Sequence, residues 1–179
     1  MVKRIKLNLE ILESMLFYWK ATSEKEKVGE SFLYTIVDHE NMKHLYNDEF
    51  GGEDVRKVLS AISNREMFEW PTKAVGRFWN NNMWMLEDLE YTELMLAPLK
   101  TLNLDDQVAM INEKTGGKGP EEVEIVCVPG HLDVYNIVDG TLFVNFFRVK
   151  PDLMDESIVT IEDKDLKTWM AEKAIEAIG

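Results

Sequence analysis

The sequence contains a single cysteine, Cys127, among 179 residues. One cysteine excludes an internal disulfide, and chains without disulfides are typical of reducing compartments. We therefore expect a cytoplasmic protein that is stabilised by its packed core. A hydrophobic fraction of 45% in a chain of this length is sufficient to form such a core.

Basic residues are scarce, with 20 Lys and Arg against 33 Asp and Glu and a formal net charge of -13. Non-specific binding to nucleic acid or to an anionic membrane needs clustered bases, so the composition argues against direct nucleic-acid binding. Residues 121–179 contain 13 acidic and 5 basic residues, which concentrates the acidity in the C-terminal third. An acidic surface attracts a basic partner at long range, although excess acid also keeps a protein soluble.

Long apolar stretches are also missing. A membrane-spanning helix needs about 18 consecutive apolar residues, and no stretch of this chain approaches that length. The N-terminal segment is interrupted by Glu10 and Glu13 and has no small-residue cleavage site of the kind that follows a signal peptide. The sequence therefore predicts a protein that does not contact membranes.

The short motifs of common enzyme families are absent. The glycine-rich segment 115–120 has neither the spacing nor the Ser/Thr of a phosphate-binding loop. The sequence also has no nucleophile elbow, zinc pattern or dinucleotide fingerprint. These absences favour a non-enzymatic protein without a cofactor, but they do not exclude an enzyme.

The best-defined element that is present is a hairpin within residues 121–150. Asp139-Gly140 favours a tight two-residue turn, and the runs on both sides are rich in β-branched and aromatic residues. The run 141–149 is apolar on both faces, which predicts a central strand covered on both sides. The predicted strands are 122–128, 133–138, 141–149 and 157–161, with a further short strand after Pro98.

Apolar residues spaced three and four apart predict helices in the rest of the chain. Ser23 to Glu26 has the form of a capping box, which predicts a helix from there to about Tyr46. Three asparagines at 80–82 favour a helix end followed by a new N-cap, and Pro98 favours the end of the next helix. The predicted helices cover 8–21, 23–46, a segment with Val55, Leu59 and Ile62, 83–96, 105–114, and a C-terminal segment capped by Asp163.

These elements predict an α+β fold. We expect a helical N-terminal region, residues 1–97, to pack on a mainly antiparallel sheet of four or five strands. Residues 98–179 would supply that sheet, with the hairpin at its centre, and a C-terminal helix. The two regions are expected to form one compact unit.

Cys127, His131 and Asp133 are the candidates for nucleophilic catalysis. They flank a turn at the end of a predicted strand, where catalytic groups often lie. A histidine can activate a thiol and a carboxylate can orient that histidine, so this constellation suggests a small hydrolase or transferase. We favour the alternative of a buried cysteine beside a solvent-facing histidine, because this spacing is common by chance.

Glu40 and His44 are the candidates for metal ligands. Four residues apart on a helix, they share a face, whereas His39 and His44 lie about 140° apart. Helical carboxylate metal sites use paired Glu-x-x-His motifs, and this sequence has none. We therefore favour a solvated pair of side chains and predict no metal.

Three of the five tryptophans, Trp70, Trp79 and Trp84, lie within 15 residues of one another, together with Phe68 and Phe78. Exposed aromatic side chains anchor protein interfaces and line ligand pockets. The alternative is a core in which helices of different direction meet. This group is the best candidate for an interaction surface in the sequence.

The leading hypothesis is an acidic, non-enzymatic protein that binds a basic partner protein and inhibits or neutralises it, as immunity proteins and enzyme inhibitors do. We expect the interface to combine tryptophans with acids of the C-terminal third, namely Trp70, Trp79, Trp84, Glu121, Glu122 and Glu124. The alternatives are a Cys/His hydrolase or transferase and a small-molecule-binding regulatory domain. A homodimer is a further alternative, since an apolar sheet face or the aromatic group would need covering.

Overall fold

The first half of the chain is helical, and the second half combines short strands with helices. The structure is a computed structural model that describes residues 1–130 and 133–179. The helices are α1 (Glu10–Ser23), α2 (Glu30–Val37), α3 (Glu40–Lys43), α4 (Gly52–Asn64), α5 (Lys73–Glu87), α6 (Leu89–Thr101), α7 (Val108–Thr115) and α8 (Leu166–Ile178). The strands are β1 (Arg4–Asn8), β2 (Glu122–Val128), β3 (Tyr135–Val138), β4 (Thr141–Asn145), β5 (Lys150–Pro151), β6 (Val159–Ile161) and β7 (Lys164–Asp165). The predicted α+β class is confirmed.

The chain divides into two compact units, each built from separate stretches of sequence. Of the described residues, unit 1 contains 1–9, 94–127 and 133–179, and unit 2 contains 10–93 and 128–130. Unit 1 therefore holds the sheets and the C-terminal helix. Unit 2 holds α1 to α5 and the beginning of α6.

Unit 1 contains a four-stranded sheet with the order β1-β2-β4-β3. β3 and β4 form the predicted hairpin, and φ is positive at both turn residues, 49° at Asp139 and 81° at Gly140, as a type I′ turn requires. β4 lies between β2 and β3 and is largely buried, as expected for a central strand. Two details differ from the prediction. β1 runs parallel to β2, and β5, β6 and β7 form a separate antiparallel sheet.

β4 ends at Asn145, before the predicted end of that strand. The Asn145 side chain accepts a hydrogen bond from the Phe147 N–H at 3.0 Å and donates one to the carbonyl of Asp133 at 3.3 Å. These bonds accompany a turn of 3-10 helix over Phe146–Arg148. The hydrogen bonds of the Asn145 side chain thus compete with those of the sheet. The strand ends here although the residues that follow have high β-propensity.

Ser23 ends α1 instead of beginning the next helix. Lys25 has a left-handed φ of 63°, and the Glu26 N–H donates to the carbonyl of Ala21. Such bonds satisfy the last carbonyls of a helix. The predicted helix from Ser23 to Tyr46 is therefore wrong, because the local pattern of a capping box here coincides with a helix C-terminus.

α5 begins directly after Pro71, with the Thr72 side chain as its N-cap. The three asparagines lie inside this helix, so the helix end predicted at 80–82 is wrong. The break falls at Asp88, between α5 and α6. Pro98 lies inside α6, which continues to Thr101, so the helix end predicted at Pro98 is wrong, and no strand follows it among the described residues.

α8 begins two residues later than predicted, with Asp165 instead of Asp163 as its cap. The Asp165 carboxylate accepts a hydrogen bond from the Thr168 N–H at 3.2 Å. Asp163, the predicted cap, lies with Glu162 in the tight turn between β6 and β7, where both residues have positive φ. α8 packs against β4, β6 and α7 and buries the apolar side chains Leu166, Trp169, Met170, Ala171 and Ala174.

The core of unit 2 forms where α1 packs on α5 and α4 packs on α2 and α5. Its largest fully buried side chains include Tyr18, Trp19, Phe50 and Phe78. None of the described helices has the length and apolar character needed to cross a membrane.

Candidate functional site

Cys127 lies in β2 and is fully buried. Burial raises the pKa of its thiol to about 12, since the apolar surroundings disfavour the thiolate. Asp133 is exposed and lies 3.6 Å from the Arg148 guanidinium. His131 lies outside the described residues. The thiol is therefore neutral and shielded from solvent in the folded chain, which is the environment of a structural cysteine.

The two candidate metal ligands, Glu40 and His44, lie at the two ends of a very short helix. α3 begins at Glu40 and ends at Lys43, and His44 follows as its C-cap. His39 is the N-cap, with Nδ1 accepting a hydrogen bond from the Asn41 N–H at 3.1 Å. Nε2 of His39 lies 3.7 Å from the Glu10 carboxylate. Across the described part of the chain, no three His, Cys, Asp or Glu side chains are placed to hold a metal ion.

The aromatic group of 68–84 does not form a single surface. Phe78 is buried against Phe50, with ring centroids 5.1 Å apart. Trp79 is half-buried and stacks on Phe68 at 5.4 Å, with the Trp70 ring 6.5 Å away. Most of this group therefore packs on itself and on the core of unit 2.

Trp70 covers Gly76 of α5. A Cβ at position 76 would lie 2.7 Å from Nε1 of Trp70, so the indole rests on the helix backbone where only glycine leaves room. Trp70 is still 46% exposed. Its position is therefore fixed by packing on one side, while the other side meets solvent.

Trp84 is the most exposed tryptophan of the three, at 73%. It lies five residues after Trp79, which places the two side chains about 140° apart around α5. Trp84 lines a surface depression of about 360 Å³ together with Met85, Glu87, Asp88 and Tyr91. Of the described residues, none forms an ion pair with Glu87 or Asp88. We call these five residues the Trp84 surface.

The backbone around the Trp84 surface is held in place by capping interactions. The Asp88 N–H donates to the carbonyl of Trp84 at the end of α5. The Asp88 carboxylate accepts a hydrogen bond from the Tyr91 N–H at 3.1 Å in the first turn of α6. The buried Thr92 hydroxyl donates to the carbonyl of Met85 at 2.8 Å. The depression is therefore formed by an ordered junction between two helices.

The predicted interface included Trp84 but not Glu87, Asp88 or Tyr91. The available signal was the spacing from Trp84 to Glu87 and Asp88, which are three and four residues further on and therefore neighbours on a helix surface. Tyr91 lies seven residues after Trp84, so the helix predicted over 83–96 also places it on this face.

The three acids predicted to meet a partner lie on unit 1 and already have basic neighbours. Glu121 pairs with Lys3 at 3.0 Å and Glu124 with Lys6 at 3.4 Å, while Glu122 pairs with Arg4. The parallel register places Arg4 opposite Glu122 and Lys6 opposite Glu124. These carboxylates therefore contribute to the pairing of β1 with β2.

We expect Glu124→Lys to destabilise unit 1 by about 0.2–1 kcal/mol, because it places two lysines directly opposite each other on neighbouring strands. The change would appear as a lower urea midpoint with an unchanged slope. The doubly reversed variant Lys6→Glu/Glu124→Lys should recover most of the loss. An unchanged midpoint in Glu124→Lys would contradict a role for this pair in strand pairing.

No protein-family model matches the chain, and comparisons with curated proteins and with solved structures also find no match.

Proposed function

We propose that this protein binds a basic partner protein through the Trp84 surface and inhibits or neutralises that partner. The observation that carries the proposal is a tryptophan that is 73% exposed beside two carboxylates without an ion pair among the described residues. Large aromatic side chains are costly to leave in water and are frequent anchors of protein interfaces.

The chemistry of the Trp84 surface suits an arginine or lysine side chain. The indole face attracts a cation through its quadrupole, and arginine also stacks on it. Glu87 and Asp88 can accept charge-assisted hydrogen bonds from the same cation.

The order of the junction lowers the cost of binding. Asp88 and Thr92 hold the helix ends by hydrogen bonds in the free protein. A surface that is already ordered loses less conformational entropy when a partner docks. The net charge of -13 would further accelerate association with a basic partner, and this contribution would weaken as salt increases.

We expect a blocked peptide of alternating glycine and arginine to shift the indole N–H signal of Trp84 in a saturable NMR titration. The indoles of Trp19 and Trp169 provide internal controls, because both are buried and donate to Asn82 and Glu162. The same peptide with citrulline in place of arginine keeps the shape without the charge and should not bind. A titration in which the Trp84 signal stays unchanged would contradict the proposal.

Variants separate the aromatic and the charged contributions. Trp84→Ala should weaken binding of the arginine peptide about threefold to fivefold, the range expected for an exposed cation–π contact. Glu87→Gln with Asp88→Asn removes two charges, keeps a side chain able to cap α6, and should also weaken binding. The matched control is Glu24→Gln with Glu26→Gln, which changes the same charge at exposed positions of unit 2. Equal losses in the control would show general charge attraction instead of a site.

The inhibitory part of the proposal requires the partner itself. Three immobilised proteins are used in parallel affinity captures at low and high salt. They are the wild type, Trp84→Ala and the Glu24→Gln/Glu26→Gln control. A basic protein retained by the wild type and the control, but lost from Trp84→Ala, is then assayed for its own activity with and without this chain. Full activity of that protein in the saturated complex would contradict inhibition while leaving the binding site intact.

A further inference from the structure

β1 is an edge strand of the four-stranded sheet. The sheet order places β2 on one side of β1, and among the described residues no strand pairs with its other side. Edge strands present a row of backbone donors and acceptors that can pair with another chain. β1 is therefore a place where the sheet can be extended.

The backbone direction identifies the groups at this open edge. The Arg4 N–H donates to the carbonyl of Glu121 at 3.1 Å, so Arg4 directs its backbone groups toward β2. Hydrogen-bonding direction alternates along a strand, so Lys6 also bonds toward β2. The N–H and C=O groups of Ile5 and Leu7 consequently face away from β2. They offer two donors and two acceptors to an added strand.

A groove accompanies this edge. It has a volume of about 330 Å³ and begins at Ile5, Leu7 and Leu9. The chain around the end of α6 supplies the other wall, with Leu99, Lys100, Leu102, Asn103, Leu104 and Asp105. Ile5, Leu7 and Leu102 are only half-buried. An added strand could therefore place alternate side chains against these three, although most of the exposed surface of the groove is polar.

The face of β1 that lies opposite the groove favours acidic residues in an added strand. Arg4 and Lys6 point to that face, and their side chains are 72% and 53% exposed although each has an acidic neighbour on β2. The groove wall contains one base and one acid, Lys100 and Asp105, so it adds little net preference. Pairing β1 with β1 of a second copy would bring bases close together across the strands, which is destabilising.

β2 shows what kind of strand fits against β1. Glu122 and Glu124 lie beside Arg4 and Lys6 on one face, while Val123 lies beside Ile5 and is buried on the other. The same alternation on the open side would place acids beside Arg4 and Lys6 and apolar side chains in the groove.

We propose that β1 binds an extended segment of a partner protein, in which acidic and apolar residues alternate, by adding it to the open edge of the sheet. Backbone hydrogen bonds to Ile5 and Leu7 supply affinity, and the groove and the bases supply selectivity. This site lies on unit 1 and is independent of the Trp84 surface, since it selects acidic instead of basic side chains.

The test uses the full chain and a blocked hexapeptide with the sequence of residues 121–126, Glu-Glu-Val-Glu-Ile-Val. NMR-detected hydrogen exchange is measured with and without the peptide. The amides of Ile5 and Leu7 should exchange more slowly when the peptide is bound. The amide of Lys6, which already bonds to β2, should change little.

Three controls examine the separate parts of the proposal. A peptide with lysine in place of each glutamate should bind at least about tenfold more weakly. A peptide N-methylated at the two amides that face β1 should lose about tenfold, because two hydrogen bonds are removed. Arg4→Gln with Lys6→Gln should weaken binding of the acidic peptide, while Lys114→Gln with Lys118→Gln, at exposed positions of the same unit, should not.

Each contrary result overturns the proposal. Binding that is insensitive to N-methylation would show a ligand in the groove without strand addition. Equal binding of the lysine peptide would remove the charge selectivity. Absence of binding at millimolar peptide would remove the site, and concentration-dependent protection of Ile5 and Leu7 without peptide would assign the edge to a second copy of this chain.

Discussion

A thiol-specific disulfide reagent at pH 8 should modify Cys127 in the native protein at least about a thousand times more slowly than in the unfolded chain. The physical reason is the pKa of the thiol, which burial raises from 9.0 to about 12. Because the pKa is higher by about three, the fraction of reactive thiolate is about a thousandfold smaller at any pH below 9. Steric protection of the fully buried side chain slows the reaction further.

The pH dependence provides a second measurement of the same property. The native rate should continue to rise by about tenfold per pH unit from pH 9 to pH 11, whereas the rate for the unfolded chain should level off above pH 9. Because Cys127 is the only cysteine, all of the thiol modification that is measured occurs at this residue. The variant Cys127→Ala provides the blank. Native modification within tenfold of the unfolded rate would instead indicate an accessible, activated thiol and would support the hydrolase or transferase hypothesis.

The parts of the fold that sequence reasoning predicted well are those set by neighbouring residues. The hairpin follows from Asp139-Gly140, which adopts the positive φ values that only a few residue types tolerate. The helix containing Val55, Leu59 and Ile62 follows from apolar spacing, and all three side chains are buried. In both cases the information lies within a few residues along the chain.

The strand pairing that was not predicted joins residues far apart in sequence. β1 is short and ambiguous by itself, and its parallel pairing with β2 joins positions more than a hundred residues apart. The pairing of Arg4 with Glu122 was also invisible in the sequence. Sequence patterns report propensity, but they do not report which distant segment satisfies a charge or a backbone group.

The candidate site also combines features that local sequence predicts with a feature that it does not predict. Trp84 was singled out because three of the five tryptophans lie within 15 residues of one another, and this needs only composition. Glu87, Asp88 and Tyr91 follow Trp84 at three, four and seven residues, a spacing that places all four on one face of a helix. The spacing does not predict the break between α5 and α6, which depends on capping by Asp88 and Thr92.

Asn82→Ala should destabilise the protein by about 2–4 kcal/mol, the largest effect that we expect from a single polar substitution. Asn82 is fully buried and accepts a hydrogen bond from the indole N–H of Trp19 at 2.9 Å. It also donates to the carbonyl of Phe78 at 2.8 Å. Truncation leaves the buried indole N–H without its acceptor, which alone costs about 1–3 kcal/mol, and adds a small cavity.

A double-mutant cycle separates the hydrogen bond from the cavity. Trp19→Phe removes the indole donor, so Asn82→Ala should cost about 1–2 kcal/mol less in the Trp19→Phe background than in the wild type. Urea unfolding monitored by far-ultraviolet circular dichroism provides the stabilities, and Asn80→Ala, an exposed position on the same helix, should change stability by less than about 0.5 kcal/mol. Additive losses in the cycle would show that the two side chains are not coupled. The hydrogen bond of Asn82 would then have no role in joining α1 to α5.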